Sequence, residues 1–305
     1  MDDIAKGILN KVAGLEDTPK GAYNNRVDGK SAGRASTKTI EITSKEDGCG
    51  IDIRVQPGTK RESVHIPVVI ESSGHREVVY NDFYIGDDCD IVIVAGCGIH
   101  NTDKHLTQHD GVHAFHVGKN SVVKYVEKHY GEGGGSGDRV LNPVTEVYLE
   151  EGSHMEMETV QIEGVDSTDR MTRAKISDGA TLVIKEKLMT SGTQTARTGF
   201  EIELDGKGSS ADVVSRSVAK GKSVQEFFSK MNGNNECSGH SECDAIIMDE
   251  ASVKAIPEIT ANNVEATLIH EAAIGKIAGE QIVKLMTLGL SKEDAEAEIV
   301  KGFLK

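Results

Sequence analysis

Apolar and polar residues alternate in short runs along most of this chain, as in TIEIT at 39–43, GIDIRV at 50–55 and HIPVVI at 65–70. A period of two is the mark of strands with one buried face. From residue 86 a unit recurs: a glycine or polar turn, a small residue, then an alternating strand. Its copies are GDDCDIVIV, GKNSVVKYV, EEGSHMEMETV, SDGATLVIKE, KGSSADVV and DEASVKAIPE. The small residue falls at Cys89, Ser121, Ser153, Ala180, Ser210 and Ala251, in steps of 32, 32, 27, 30 and 41. A period of about 30 in an all-strand region predicts a solenoid, whose units close no core of their own and must stack. Residues 40–265 are therefore expected to form an all-β parallel β-helix. The competing arrangement is a sandwich of hairpins, which the scarcity of two-residue hairpin turns disfavours.

The ends break this pattern. The first 14 residues suit a short amphipathic helix, and the polar stretch 15–39 reads as a mobile connection, so 1–39 is expected to precede the solenoid. After Gly275, IAGEQIVKLMTLG sets Ile282, Leu285 and Met286 on one helical face and stops at Gly289. Ser291 with Asp294 resembles a capping box, and Ala295, Ile299, Val300, Phe303 and Leu304 form an apolar stripe behind it. Two helices are thus expected to close a C-terminal segment, 266–305. They can cap the open end of the solenoid or dock on another protein.

Composition narrows the function. A formal charge of −15 opposes a nucleic-acid backbone or an anionic membrane as the main partner. The start, MDDIAKGILNKV, lacks the basic charge of a signal peptide, and no apolar segment approaches the about 18 residues of a membrane span, so a cytoplasmic chain is expected. In that compartment the five cysteines, 49, 89, 97, 237 and 243, are expected as free thiols or metal ligands. Glycine is abundant, 33 of 305 residues, but no phosphate loop results: the two Gly-Lys-Ser sequences, 29–31 and 221–223, have Asn24 and Arg216 where the leading glycine belongs. Neither a Gly-x-Ser-x-Gly elbow nor a His-Glu-x-x-His helix occurs. ATP hydrolysis and nucleophilic hydrolysis are not expected of this chain.

Metal chemistry has better candidates. CSGHSECDAIIM places Cys237, His240 and Cys243 at three-residue steps, one ligand short of a structural zinc site. By strand alternation Cys243 shares a face with Ala245 and Ile247, which also suits a buried structural thiol. Between Cys97 and His116 five histidines, at 100, 105, 109, 113 and 116, match no standard site, and Cys97 with His100 is the part suited to metal or sulfur. His270-Glu271 lies 27 residues after Cys243, close to one repeat. Residues one coil apart stack at about 4.8 Å, so a thiolate, an imidazole and a carboxylate are expected to meet in a set suited to iron.

The tail ECDAIIMDEASVKAIPEITANNVEATLIHEAAIGKIAGEQIVKLMTLGLSKEDAEAEIVKGFL, with its Cys-Asp, His-Glu-Ala, Gly-Leu before a helix and terminal Gly-Phe-Leu, resembles the SufB/SufD family, scaffolds of iron-sulfur cluster assembly. The resemblance is specific over 237–305 and looser over the β-rich middle. It implies a right-handed parallel β-helix, a second SufB/SufD-type subunit paired through that helix, and a SufC-like ABC ATPase bound at the C-terminal helices through Ile282, Leu285, Met286, Ile299 and Phe303. It further implies that Cys243, His270 and Glu271 build a nascent iron-sulfur cluster, with Cys237, His240, Cys97 and His100 as further candidates for metal or sulfur. A sulfur donor and apo-protein acceptors complete the expected partners. Ile269 stands where larger members often have a glutamate, and their N-terminal extension is lacking, so the chain resembles a minimal, self-pairing scaffold. A purely structural SufD-like partner, or an independent metal-dependent β-helix enzyme using the histidine-rich stretch, are the alternatives.

Overall fold

Each coil turns at a small residue. In the computed structural model, which describes residues 3–14, 19 and 21–305, the chain forms a parallel β-solenoid of about 8 turns, built from two ten-stranded sheets. From Gly50 onward the chain alternates between the sheets, so its strands pair in parallel with those a full coil away; Ile40–Ser44 instead pairs antiparallel with Gly50–Val55 at the edge of the second sheet, so the parallel coils begin later than the expected residue 40. The residues entering the first sheet, Cys89, Ser121, Ser153, Ala180, Ser209 and Cys237, are all buried and stack in register, with half-buried Ala266 ending the column. A larger side chain there would meet the coils above and below. The hydroxyls also tie the turn: Ser121 Oγ accepts from the Cys89 amide at 2.9 Å and donates to the Gly86 carbonyl at 2.8 Å.

The column corrects the sequence register in two places. The turn residue is Ser209 and not Ser210, which is the first residue to pair with Thr181 across the sheet. Ala251 belongs to the opposite corner, in line with Ser223, since Val224 pairs with Ser252 in the second sheet. The step of 41 therefore mixed two corners, and Cys237 is the turn residue it skipped.

Inside, alternation fills the coil: Ile93, Tyr125, Met157, Ile184 and Val213 stack in one apolar column of the first sheet, all buried. A helix, α1 (Asp3–Ala13), lies on the outer face of this sheet and buries Ala5, Ile8, Leu9 and Val12 against Val69. Gly96 and Gly98 make room for it; a Cβ at Gly98 would collide with the Ile8 side chain. Gly98→Ala is expected to lower stability by about 1–3 kcal/mol through overpacking, read as a shift of the urea midpoint.

The stretch expected to be a mobile connection is instead partly ordered. Ala22–Val27 and Lys30–Ala35 form an antiparallel hairpin, and the first of these strands joins the first sheet in parallel with Lys60–Ile70. Asp28-Gly29 makes the tight turn with φ of 45° and 75°, the left-handed pair that an Asp-Gly sequence favours. Residues 15–18 and 20 of that expected connection lie outside the described residues.

At the other end the β-structure runs on through Ala266–Gly275, past the expected end of the solenoid at 265, and the helices follow Gly275 as expected. They are α2 (Gly279–Met286) and α3 (Lys292–Phe303). Gly289 has a φ of 97° and the Ser291 hydroxyl accepts from the Asp294 amide at 3.0 Å, as the stop and cap signals require. Neither helix shields the final strand, whose residues are all half-buried or exposed. Instead α3 runs beside the flank of the solenoid, where Ala297, Val300 and Leu304 face Ile162, Met189 and Met248 across a cavity of about 500 Å³. No described helix is long and apolar enough to cross a membrane.

Candidate functional site

The inner columns change character as they approach the open end. The apolar series ending at Val213 continues as Ser241 and then His270. Its neighbour two positions along reads Glu127, Thr159, Glu186, Ser215, Cys243 and Ala272 in register. These polar side chains hold the phase that elsewhere carries aliphatics, so they point into the coil. Cys243 is 1% exposed. Burial, then the nearby Glu186 and Asp244 carboxyls, push its thiol up to about 12. Ser215, directly alongside, donates to Glu186 Oε2 at 2.7 Å.

His270 shares that inward face, on the last strand and diagonal to Cys243. Both of its ring nitrogens are buried and neither makes a hydrogen bond of good geometry, although the Ser241 backbone lies close enough to act on the ring. Burial first, then the charge of His240, lowers its pKa, against an opposing influence of the Ser241 backbone. The balance favours the neutral imidazole, which carries one lone pair. Burying two nitrogens without well-formed hydrogen bonds is costly in a finished structure, and a ligand or a second chain at the open end would relieve that cost.

Glu271 does not join them. Strand alternation sends it to the outer face, where it pairs with Glu242, while Cys243 pairs with Ala272. The expected convergence of Cys243, His270 and Glu271 within one protomer therefore splits across the two faces of a sheet. On the outer face Glu271 meets His240: one ligand atom each from His240, Glu242 and Glu271 lie within 4.8 Å of one another. The His240 Nδ1 contacts Asp212 Oδ1 at 2.8 Å, which turns Nε2 to within 3.7 Å of Glu271 Oε2. The hydrogen bond to Asp212, outweighing partial desolvation, raises the His240 pKa. Glu242 carried no signal of its own in the sequence beyond its phase with His240.

Of the other sulfur and imidazole candidates, Cys97, His109 and His113 line one small internal cavity with His129 and Glu127, while the rest separate. Cys237 is a buried turn residue. Cys97 points inward beside His129 in register, whereas His100 contacts Glu132 at 3.3 Å on the opposite face. His109 is buried against Glu77 at 2.9 Å, His113 is buried with its pKa lowered to about 4 chiefly by desolvation, and His116 stacks outside between Tyr84 and Tyr148. His105 sits in an exposed turn with Asp103. Alternation thus divides the histidine-rich stretch between interior and surface, and it does not form one metal centre.

A buried ion cluster was not anticipated. Arg170 lies between Glu127 at 2.5 Å and Glu186 at 3.9 Å, all three almost fully buried. Burial works to raise both carboxyls; for Glu127, Arg170 and His129 outweigh it and hold the pKa well below normal, whereas for Glu186 burial wins. Charged residues in the inward phase of otherwise apolar strands, as Glu127 in VVKYVEKHYGE, are the signal that could have revealed it.

Comparison with known proteins gives a consistent result. The family model described as SUF system FeS cluster assembly, SufBD core domain, matches residues 99–239 and 177–303. An iron-sulfur cluster assembly SufBD family protein of Archaeoglobus fulgidus is 29% identical over 270 residues, covering 87% of this chain and 70% of the relative. Proteins of the same family name from Methanothermobacter thermautotrophicus strain Winter and Methanocaldococcus jannaschii are 25% and 26% identical, over 84% and 85% of this chain. The chain spans 62% and 82% of their respective lengths.

Proposed function

Because the chain belongs to the SufBD family of iron-sulfur cluster assembly proteins, we propose that it is a cytoplasmic scaffold subunit on which iron and sulfide are joined at the open end of the solenoid and then passed to apo-proteins. The observation that carries this reading is the placement of a buried thiol, Cys243, diagonal to an imidazole without a well-formed hydrogen bond, His270, on the inward face of the last two coils. A thiol held near a pKa of about 12 stays protonated and inert towards oxidants until iron displaces its proton. One thiolate and one imidazole hold a cluster less tightly than four thiolates, which favours release.

A second copy completes the set. The strands Ser252–Ala261 and Ala266–Gly275 each pair on one side only, leaving an edge for strand addition. A two-fold pairing there brings two Cys243 and two His270 side chains towards one another. The energy source is a SufC-like ABC ATPase docked on the C-terminal helices. Of the residues expected to carry that contact, Met286 is exposed, while Ile282, Leu285, Ile299 and Phe303 are half-buried. Val283 and Leu288 are more exposed than any of them and extend the apolar surface.

The test is anaerobic reconstitution of the full chain with ferrous iron and sulfide. Expected are stoichiometric iron and sulfide, a visible charge-transfer absorption, and transfer of the cluster to an apo-ferredoxin. A chain that stays colourless and passes nothing on, alone and with its ATPase, refutes the proposal.

A further inference from the structure

The outer face of the last coils holds a donor set that the thiol site does not use. The geometry points to a divalent-cation site formed by His240, Glu242 and Glu271, with Asp212 as the positioning residue behind the imidazole, separate from Cys243 and His270 on the far side of the same sheet. Three strands contribute, Ser209–Ala219, Cys237–Ile247 and Ala266–Gly275, and the register Asp212↔His240 and Glu242↔Glu271 stacks the side chains on adjacent rungs.

The imidazole is oriented as a metal ligand requires. Its Nδ1 is engaged by Asp212 at 2.8 Å, leaving Nε2 for the ion. A ligating histidine commonly gives its other nitrogen to a carboxylate, which fixes the ring and raises its basicity. The separation between Nε2 and Glu271 Oε2, 3.7 Å, is too long for a hydrogen bond. It suits two ligands of one ion, since atoms each about 2.1 Å from a metal lie about 3.0–4.2 Å apart. The widest separation in the trio, within 4.8 Å, closes by small rotations of the two glutamates.

Charge on this face favours a cation. Asp212, Glu242, Asp244 and Glu271 gather on three adjacent strands around the one imidazole. Arg216, in register with Asp244, acts on Glu242, and Lys185 acts on Asp212; both lie to the side of the donor trio. One imidazole and two or three carboxylate oxygens suit the borderline Fe²⁺, or Mn²⁺, a hard ion that also accepts an imidazole; Mg²⁺ gains little from the nitrogen. If the scaffold reading above holds, this is where ferrous iron waits, one sheet thickness from the thiol that takes it into the cluster.

The site is tested by Mn²⁺ titration of the full apo-chain, following free Mn²⁺ by electron paramagnetic resonance. One Mn²⁺ per chain is expected, with affinity falling about tenfold or more in His240→Ala and Glu242→Gln and about tenfold in Asp212→Asn. Cys243→Ser is expected to bind as the parent does. His240→Ala decides the matter: it removes no negative charge, so an adventitious ion on an acidic surface would bind it equally well, and that result overturns the proposal. Circular dichroism confirms that these surface variants fold. The readout is Mn²⁺ alone, so a chain that never assembles a cluster but binds Mn²⁺ through His240 separates this inference from the scaffold reading.

Discussion

Cys243→Ser is expected to abolish iron and sulfide accumulation on the anaerobically purified chain, while the protein remains folded. The serine oxygen is a hard donor and keeps its proton at any physiological pH, so it cannot replace a thiolate towards iron and sulfide. The change is nearly isosteric, and Ser215 stands in register to receive the new hydroxyl. Its stability cost should therefore stay within about 1–3 kcal/mol, the penalty for a buried polar group imperfectly paired. Iron and acid-labile sulfide analysis, together with a urea midpoint, reads both parts. A serine variant with the parent's full iron and sulfide content would take Cys243 out of the assembly role and leave a structural partner as the better description.

Arg170→Met is expected to cost about 3–5 kcal/mol, because it leaves Glu127 buried without its counter-ion. The loss should depend on pH, with a sign fixed by the carboxyl shifts. In the parent the Glu127 pKa is held well below normal, so its contribution is present above the unfolded carboxyl range and disappears as pH falls through the folded value. Without Arg170, burial dominates and the Glu127 pKa rises above the unfolded value. The variant then loses stability as pH rises through that higher value and regains it on acidification. The gap between parent and variant is thus expected to narrow as pH drops from 8 towards about 5. Glu127→Gln added to Arg170→Met should recover much of the loss, since the only buried carboxyl left without Arg170 is Glu186, whose neutral form burial already favours. A pH-independent gap would show that the arginine acts by packing alone.

The scaffold reading assigns separate duties to these two regions. The arginine cluster allows a strand interior to carry acid groups far from solvent, and the thiol region uses the same inward phase where the solenoid ends and a second chain can enter. Both depend on the strict alternation of the strands, which lets one side chain in two reach the lumen.

Much of this was legible without coordinates. Alternation with a recurring small residue specified stacked coils, because a strand of period two with one buried face has few other ways to close a core at a spacing of about 30 residues. The helix stops at Gly289 and Ser291 were readable because caps are local chemistry. The Asp28-Gly29 turn is equally local chemistry, an Asp-Gly pair joining two short polar strands. What the sequence could not settle was which side of a rung each residue takes relative to the coil below. A spacing of 27 puts Cys243 near His270 and Glu271 but does not tell them apart; the register Ser241↔His270 and Cys243↔Ala272 does, sending the histidine inward and the glutamate out. One residue of register exchanges every inward side chain for an outward one, and that register is set by hydrogen bonds between strands far apart in the chain.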